Sequence, residues 1–246
     1  DRLMKILFSP SKTMHLSTLP SETTPLFLPQ AQAIQDALTE TLKTTSLEQF
    51  YKCSEKKAQD IAPILKNFSL LGTSPALYSF SGLAFQHLHP QSLDQWASAY
   101  LKDHLLIFSG LYGFLRAFDG ISPYRLDYEN PLKIEGQSLK AYWKETLYTS
   151  LKGEDLLINL ASKEYATSLL SYKDLKLVSI DFKLKQGDKR LSRGTEAKIA
   201  RGELLRLLAL SHAESEEDVI ALCPYGYRYS HEQSEAKNLV FIKKID

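Results

Sequence analysis

Three strings in this chain combine hydroxyls, amides and cations at turn-like spacing: Ser9-Pro10-Ser11-Lys12-Thr13, Ser109-Gly110-Leu111-Tyr112-Gly113 and Asn159-Leu160-Ala161-Ser162-Lys163. Each follows a short apolar run of strand length. Where such strands run parallel, their carboxyl ends share one edge, and ligands of α/β proteins collect there. One shared site is therefore expected. The chemistry on offer is anion binding, since Ser and Lys donate and glycine lets backbone N–H groups approach a phosphate. Ser162 suits the cap of a following helix. Lys163 then falls at a helix N-terminus, where the macrodipole opposes a cation unless an anion is bound. The plainer alternative is that these strings are turns and caps only.

Ser9 and Lys12 also match S-x-x-K, the spacing at which lysine deprotonates a serine nucleophile on a helical turn. Pro10 directly after a strand, and the lack of the partner motifs of Ser–Lys hydrolases, weigh against acyl transfer. No G-x-S-x-G, phosphate-loop GxxxxGK[ST] or H-E-x-x-H occurs. His87 and His89 have no further ligands at metal spacing, so neither a metal nor a cofactor is expected. The stretch SGLYGFLRAFDGISPYRLD, residues 109–127, is the densest in turn formers, aromatics and charge. Arg116 and Arg125 could clamp phosphate or carboxylate through their planar forks, with Pro123 and Tyr124 holding the second rigid. Equally, they could pair internally with Asp119 and Asp127. The Gly110 to Gly113 string loosely resembles the hairpin of a helix-hairpin-helix motif, although a strand precedes it.

Residues 183–206 carry eight basic side chains and three acidic ones, a local charge of +5 in a chain whose net charge is +1. At 100° per residue, Lys198, Arg201 and Arg206 share one helical face, with Ile199, Ala200, Leu204, Leu207, Leu208 and Leu210 opposite. Gly202 sits within the basic face, where a missing side chain lets a phosphate or another backbone come close. That combination favours contact with a nucleic-acid backbone; the plainer alternative is a solvated face, the commoner outcome for an isolated basic helix, and Leu205 on the same face fits neither account.

Positioning these groups requires a sheet. Apolar runs near 4–8, 104–108, 155–160, 175–183, 218–223 and 239–243 predict six strands, and helical patterns fall near 30–44, 46–70, 91–102, 138–152, 163–173 and 196–210. The second helix opens on the capping pattern Ser46-Leu47-Glu48-Gln49, and Pro63 is expected to kink or interrupt it. The order predicts an α+β (mixed α/β) fold, a mixed central sheet covered by helices in a single domain over 4–246. Asp1 to Leu3 precede the first methionine and read as an appended leader.

The 246 residues, 43% apolar and 24% charged, exclude collagen-like, disordered and coiled-coil classes. No apolar run reaches the roughly 18 residues of a membrane span, so no membrane partner and a cytoplasmic location are expected. Cys53 and Cys223 form neither a disulfide framework nor a metal cluster.

The strings SPSKT, SGLYGFLRAFDGISPYRLD, LKAYW at 139–143, NLASKEY at 159–165, AKIARG at 197–202 and GYRY at 226–229, in this order, resemble the YaaA family of bacterial proteins. The resemblance implies a cytoplasmic role in peroxide resistance and DNA binding through a helix-hairpin-helix element and a basic cleft. It implies that Ser9, Lys12, Arg116, Tyr124, Arg125, Asn159, Ser162, Lys163, Lys198 and Arg201 line or flank that cleft. Two departures stand out: Ala117 replaces an expected proline, and residues 54–61 lack a hairpin glycine. The expected partner is duplex or distorted DNA, held with little sequence preference. The alternative is an enzyme on a nucleotide or nucleic-acid phosphate, with Glu164 or Asp119 as acid or base. Iron handling ranks last, because the ligand spacing is poor.

Overall fold

The runs Ile6 to Phe8, Leu105 to Phe108 and Leu157 to Ile158 are buried throughout, as strands of a parallel sheet covered on both faces must be. The computed structural model describes residues 4–191 and 193–246; the reading of Asp1 to Leu3 as a leader falls outside the described residues. In chain order the first elements are β1 (Lys5–Phe8), α1 (Leu28–Thr41), α2 (Leu47–Tyr51), α3 (Glu55–Lys66), β2 (Ser74–Pro75), α4 (Ala76–Ser79) and α5 (Leu83–Leu88). Next come α6 (Gln95–His104), β3 (Leu105–Ser109), β4 (Gly113–Arg116), β5 (Gly120–Ile121), β6 (Lys133–Ile134), β7 (Gln137–Ser138) and α7 (Leu139–Leu151). The chain continues through β8 (Leu157–Asn159), α8 (Lys163–Ala166), β9 (Leu177–Gln186), β10 (Lys189–Leu191), α9 (Gly194–Ser211), α10 (Glu216–Ile220), β11 (Arg228–Tyr229) and β12 (Asn238–Ile245).

The central sheet has the order β11-β12-β9-β8-β1-β3-β4. Its five inner strands, β12, β9, β8, β1 and β3, are parallel. Antiparallel β4 and β11 close the two edges, and β10 folds back antiparallel on β9. The sheet is therefore mixed, as the sequence predicts. Two-residue ribbons pair β2 with β5 and β6 with β7. Among the described residues no helix is long and apolar enough to cross a membrane.

Three sequence expectations are corrected. Residues 218–223 form no strand: Ser215 accepts a hydrogen bond from the Asp218 N–H, and Glu216, Glu217 and Asp218 fill the first turn of α10, where the macrodipole favours acids. The helix expected over 46–70 is two helices. Lys52 ends α2 in the left-handed region (φ 50°, ψ 53°), and the break falls there rather than at Pro63, which stays inside α3. Lys52 thus makes the turn between α2 and α3 in a conformation that glycine most often takes. The helix expected over 163–173 shrinks to α8 and one 3-10 turn at Thr167–Leu169.

Candidate functional site

Because β8, β1 and β3 are adjacent and parallel, the Ser9, Ser109 and Asn159 strings do leave the sheet at one edge. Two of them meet. The Ser162 N–H donates to Ser9 Oγ at 2.7 Å, and Ser9 Oγ donates to Ser162 Oγ at 3.3 Å. On its other side, Ser11 Oγ accepts from the Ser81 and Gly82 N–H groups at 3.2 and 3.0 Å. The loop after β1 is thereby pinned open above a cleft of about 390 Å³. Phe8, Leu83, Ala84, Phe85, Leu160 and Tyr165 give the cleft an apolar surface, and Lys12, Lys198, Arg201, Asp127, Glu129 and Glu164 give it charge.

The α9 helix delivers two of those cations. Gly202 packs so tightly on α5 that an added Cβ would lie 2.1 Å from the Ala84 carbonyl oxygen. The close approach anticipated at this glycine is therefore to another backbone, and it sets Lys198 and Arg201 beside the loop after β1. Arg206, expected on the same basic face, turns away: it donates to the Leu88 and His89 carbonyls and to Ser92 Oγ. Leu205 is fully buried, which resolves its misfit with a basic surface. Arg201 lines the cleft with a buried Nε that has no hydrogen-bond partner among the described residues. Burial holds its guanidinium below the usual value, and the Asp181 carboxylate opposes that shift.

The carboxylates form a second cluster. Glu164 Oε1 accepts from the Glu129 N–H at 3.3 Å, and Asp127 Oδ1 accepts from the Tyr165 hydroxyl at 3.4 Å. Burial, a hydrogen bond to the Glu129 side chain and repulsion from Glu129 and Asp127 push the Glu164 carboxyl from its ordinary 4.5 up to about 7. The folded state therefore retains a proton that the unfolded chain has released, and this group's contribution to stability falls as pH rises from about 4.5 through 7. Glu164→Gln removes that dependence. Its stability relative to wild type should rise by about 1 kcal/mol between pH 5 and pH 8, a figure reduced by solvent screening at a half-exposed site. Urea melts at both pH values measure it, and an unchanged difference would show an ordinary carboxyl.

The remaining predicted site residues are placed differently. Arg125 and Lys12 line an adjoining hollow with Asp127 and Glu129, where Arg125 Nε lies 3.5 Å from Asp127 Oδ2 and its guanidinium covers the Tyr51 ring. Lys163 is exposed beside Ser162 at the start of α8. Arg116, Tyr124 and Asn159 do not line the cleft. Arg116 is taken up by the fully buried Asp119 and the Thr24 carbonyl. Tyr124 is buried against Ser109 Oγ at 2.6 Å. Asn159 closes the turn after β8, accepting from the Ala161 N–H and donating to Ser179 Oγ. The third string serves packing, because a Cβ on Gly110 would meet the Leu126 carbonyl and one on Gly113 the Trp143 ring, each within 2.7 Å. Ser9 and Lys12 lie outside any helix, so the S-x-x-K geometry does not form.

Sequence reasoning had Asp127 only as a possible partner of Arg125 and missed Glu129. The sole available signal was the place of Asp127 at the end of the densest string; Glu129, just beyond it, left none, since carboxylates on loops are common. Among the described residues no group of three or more His, Cys, Asp or Glu side chains could hold a metal ion.

The sequence profile of the family described as "Peroxide stress protein YaaA" matches residues 4–233. The chain is 36% identical to a UPF0246 protein of Finegoldia magna, covering 98% of this chain and 99% of that protein. It is 34% identical to a UPF0246 protein of Agathobacter rectalis, covering 98% and 100%, and 37% identical to one of Lactobacillus delbrueckii subsp. bulgaricus over the same shares. With the motifs in order and the match running almost end to end, the chain belongs to the peroxide stress protein YaaA family.

Proposed function

We propose that this peroxide-stress protein is a cytoplasmic DNA-binding protein that holds phosphates through Lys12, Lys198 and Arg201 at the cleft, with Arg125 and Lys163 at its margins. The observation that carries the reading is Arg201, whose buried Nε lacks a partner among the described residues, in a cleft shared with two exposed lysines. A buried polar group left unpaired costs about 1–3 kcal/mol, and a phosphate oxygen removes that cost while matching the guanidinium fork. Phosphate contacts position a protein without reading sequence, so duplexes of different sequence should bind alike.

The test is a titration of a labelled 30-base-pair duplex over several salt concentrations. Removing two phosphate contacts in Lys198→Ala/Arg201→Ala should weaken binding and make the log–log salt slope shallower by about 1.8. A double variant with the wild-type slope and affinity would move DNA away from this cleft. A second reading, an enzyme acting on a phosphate-containing substrate in the same cleft, is favoured by Glu164, whose carboxyl titrates near 7, where a general acid or base works best. Turnover of a nucleotide that disappears in Glu164→Gln would establish it.

A further inference from the structure

Two buried carboxylates of this chain are treated very differently. Asp119 is saturated: Thr23 Oγ1 donates to it at 2.6 Å, the Arg116 N–H at 2.8 Å and Arg116 Nε at 3.1 Å. Asp127, also buried, has only long contacts, 3.4 Å from the Tyr165 hydroxyl and 3.5 Å from Arg125 Nε. An ionised carboxylate offers about four acceptor sites, so Asp127 faces the cleft with unused capacity. Beside it are Glu164 and, in the same lining, the partnerless Arg201 Nε. A ligand that satisfies both must carry an anion at one end and adjacent N–H donors at the other.

The cleft also sets the ligand's size and faces. Its volume of about 390 Å³ falls in the range of small-molecule pockets, roughly 300–1,000 Å³, and is far too small to admit a duplex. Phe8, Leu83, Phe85 and Tyr165 offer apolar surface to a flat ring. Among the bases, guanine alone presents two adjacent donors, N1–H and the N2 amino group, on its pairing edge, the arrangement a carboxylate accepts.

We propose that this cleft takes a single guanine nucleotide unit, its base edge held by Asp127 and Glu164 and its phosphate by Arg201 and Lys198. The proposal rests on the reading that the cleft holds nucleic-acid phosphate, and it names the unit held. That unit is a free nucleotide or an unpaired residue swung out of a strand, as enzymes that flip bases do.

The experiment uses the full chain. Calorimetric titrations with dGMP, dTMP and 2-deoxyribose 5-phosphate are run beside anisotropy titrations of a paired 30-base-pair duplex and the same duplex carrying one bulged guanine. The expected result is dGMP binding at least tenfold tighter than dTMP or the sugar phosphate, with Glu164→Gln and Asp127→Asn reducing it to the sugar-phosphate level. Thermal melts of the variants verify folding; should Asp127→Asn fail to fold, the half-exposed Glu164→Gln carries the test alone. Tenfold preference for the bulged duplex assigns the pocket to a strand's unpaired residue. dGMP selectivity without that preference assigns it to the free nucleotide. Equal affinity for the three small ligands, or no binding of any at 5 mM, overturns the proposal. In either of those cases, duplex binding that still weakens in Lys198→Ala/Arg201→Ala leaves the phosphate reading standing by itself.

Discussion

Replacing Asp119 with alanine is expected to destabilise the folded protein by about 3 kcal/mol, the lower end of what breaking a buried ion pair costs. The lower end applies because Arg116 is one-third exposed and can recover some hydration, whereas Asp119 is fully buried. Two segments lose their common anchor, because the carboxylate binds Thr23 Oγ1 on one and the Arg116 N–H and guanidinium on the other. The Asp119 carbonyl, which accepts from the Ala76 N–H, belongs to the backbone and survives the substitution. For a chain of this length the melting temperature should drop by roughly 6–12 °C. A drop of under about 2 °C would mean that water replaces the carboxylate and that the site is not closed. Charge is the deciding feature, so Asp119→Asn, which keeps the shape, should recover only part of the loss.

The second large effect is expected at Gly202. Alanine elsewhere in a helix interior gains about 1 kcal/mol over glycine, but here the new methyl would sit 2.1 Å from the Ala84 carbonyl oxygen and 2.9 Å from the Ala84 carbonyl carbon. Neither atom can rotate away, so α5 and α9 must separate, and overpacking of this kind costs about 3 kcal/mol. The net result is a loss of about 2 kcal/mol. Gly194→Ala in the same helix is the control: an added Cβ there meets nothing within 4 Å, and the change should be neutral to mildly stabilising. Both α5 and α9 line the cleft, so Gly202→Ala should also reduce ligand affinity under conditions where the variant is still folded. Equal melting temperatures for the two alanine variants would show that the helix pair is more yielding than its geometry indicates.

Local chemistry was legible wherever a residue's role depends on near neighbours. Ser46 caps α2 by accepting from the Gln49 N–H, as its capping pattern predicts. The parallel strands β1, β3 and β8 follow from runs that are apolar on both faces, and their shared edge follows from being parallel. The amphipathic pattern of 196–210 predicts α9, with Leu204 and Leu208 buried and Lys198 exposed, while Leu210, expected on the core face, is exposed and Arg201, expected outward, has a buried Nε. Short elements were not legible in this way. At five residues, α10 is too brief for periodicity to outweigh the strand-like run Val219 to Leu222, and its identity rests on the Ser215 cap. The end of α2 at Lys52 left no signal, because a left-handed lysine is set by the packing of α2 and α3 around it.

The site shows the same division more sharply. From residue types and spacing alone, the chain determined that hydroxyl, amide and lysine side chains follow the carboxyl ends of three strands, that α9 carries cations, and which family the motifs resemble. Which of those side chains remain free was decided only by the tertiary structure. Arg116 and Arg206 have the same chemistry as Arg201, yet each is consumed elsewhere: Arg116 by Asp119, three positions on, and by the Thr24 carbonyl 92 positions away, Arg206 by the Leu88 carbonyl 118 positions away. Asn159 is likewise held by the Ala161 N–H and by Ser179, 20 positions on. Arg201 and Asp127 stay under-satisfied because no such partner reaches them fully. The physical reason is that a polar side chain's availability is set by all the hydrogen bonds the fold supplies to it, and local pairs such as Arg116 with Asp119 are only part of these, the rest depending on long-range packing.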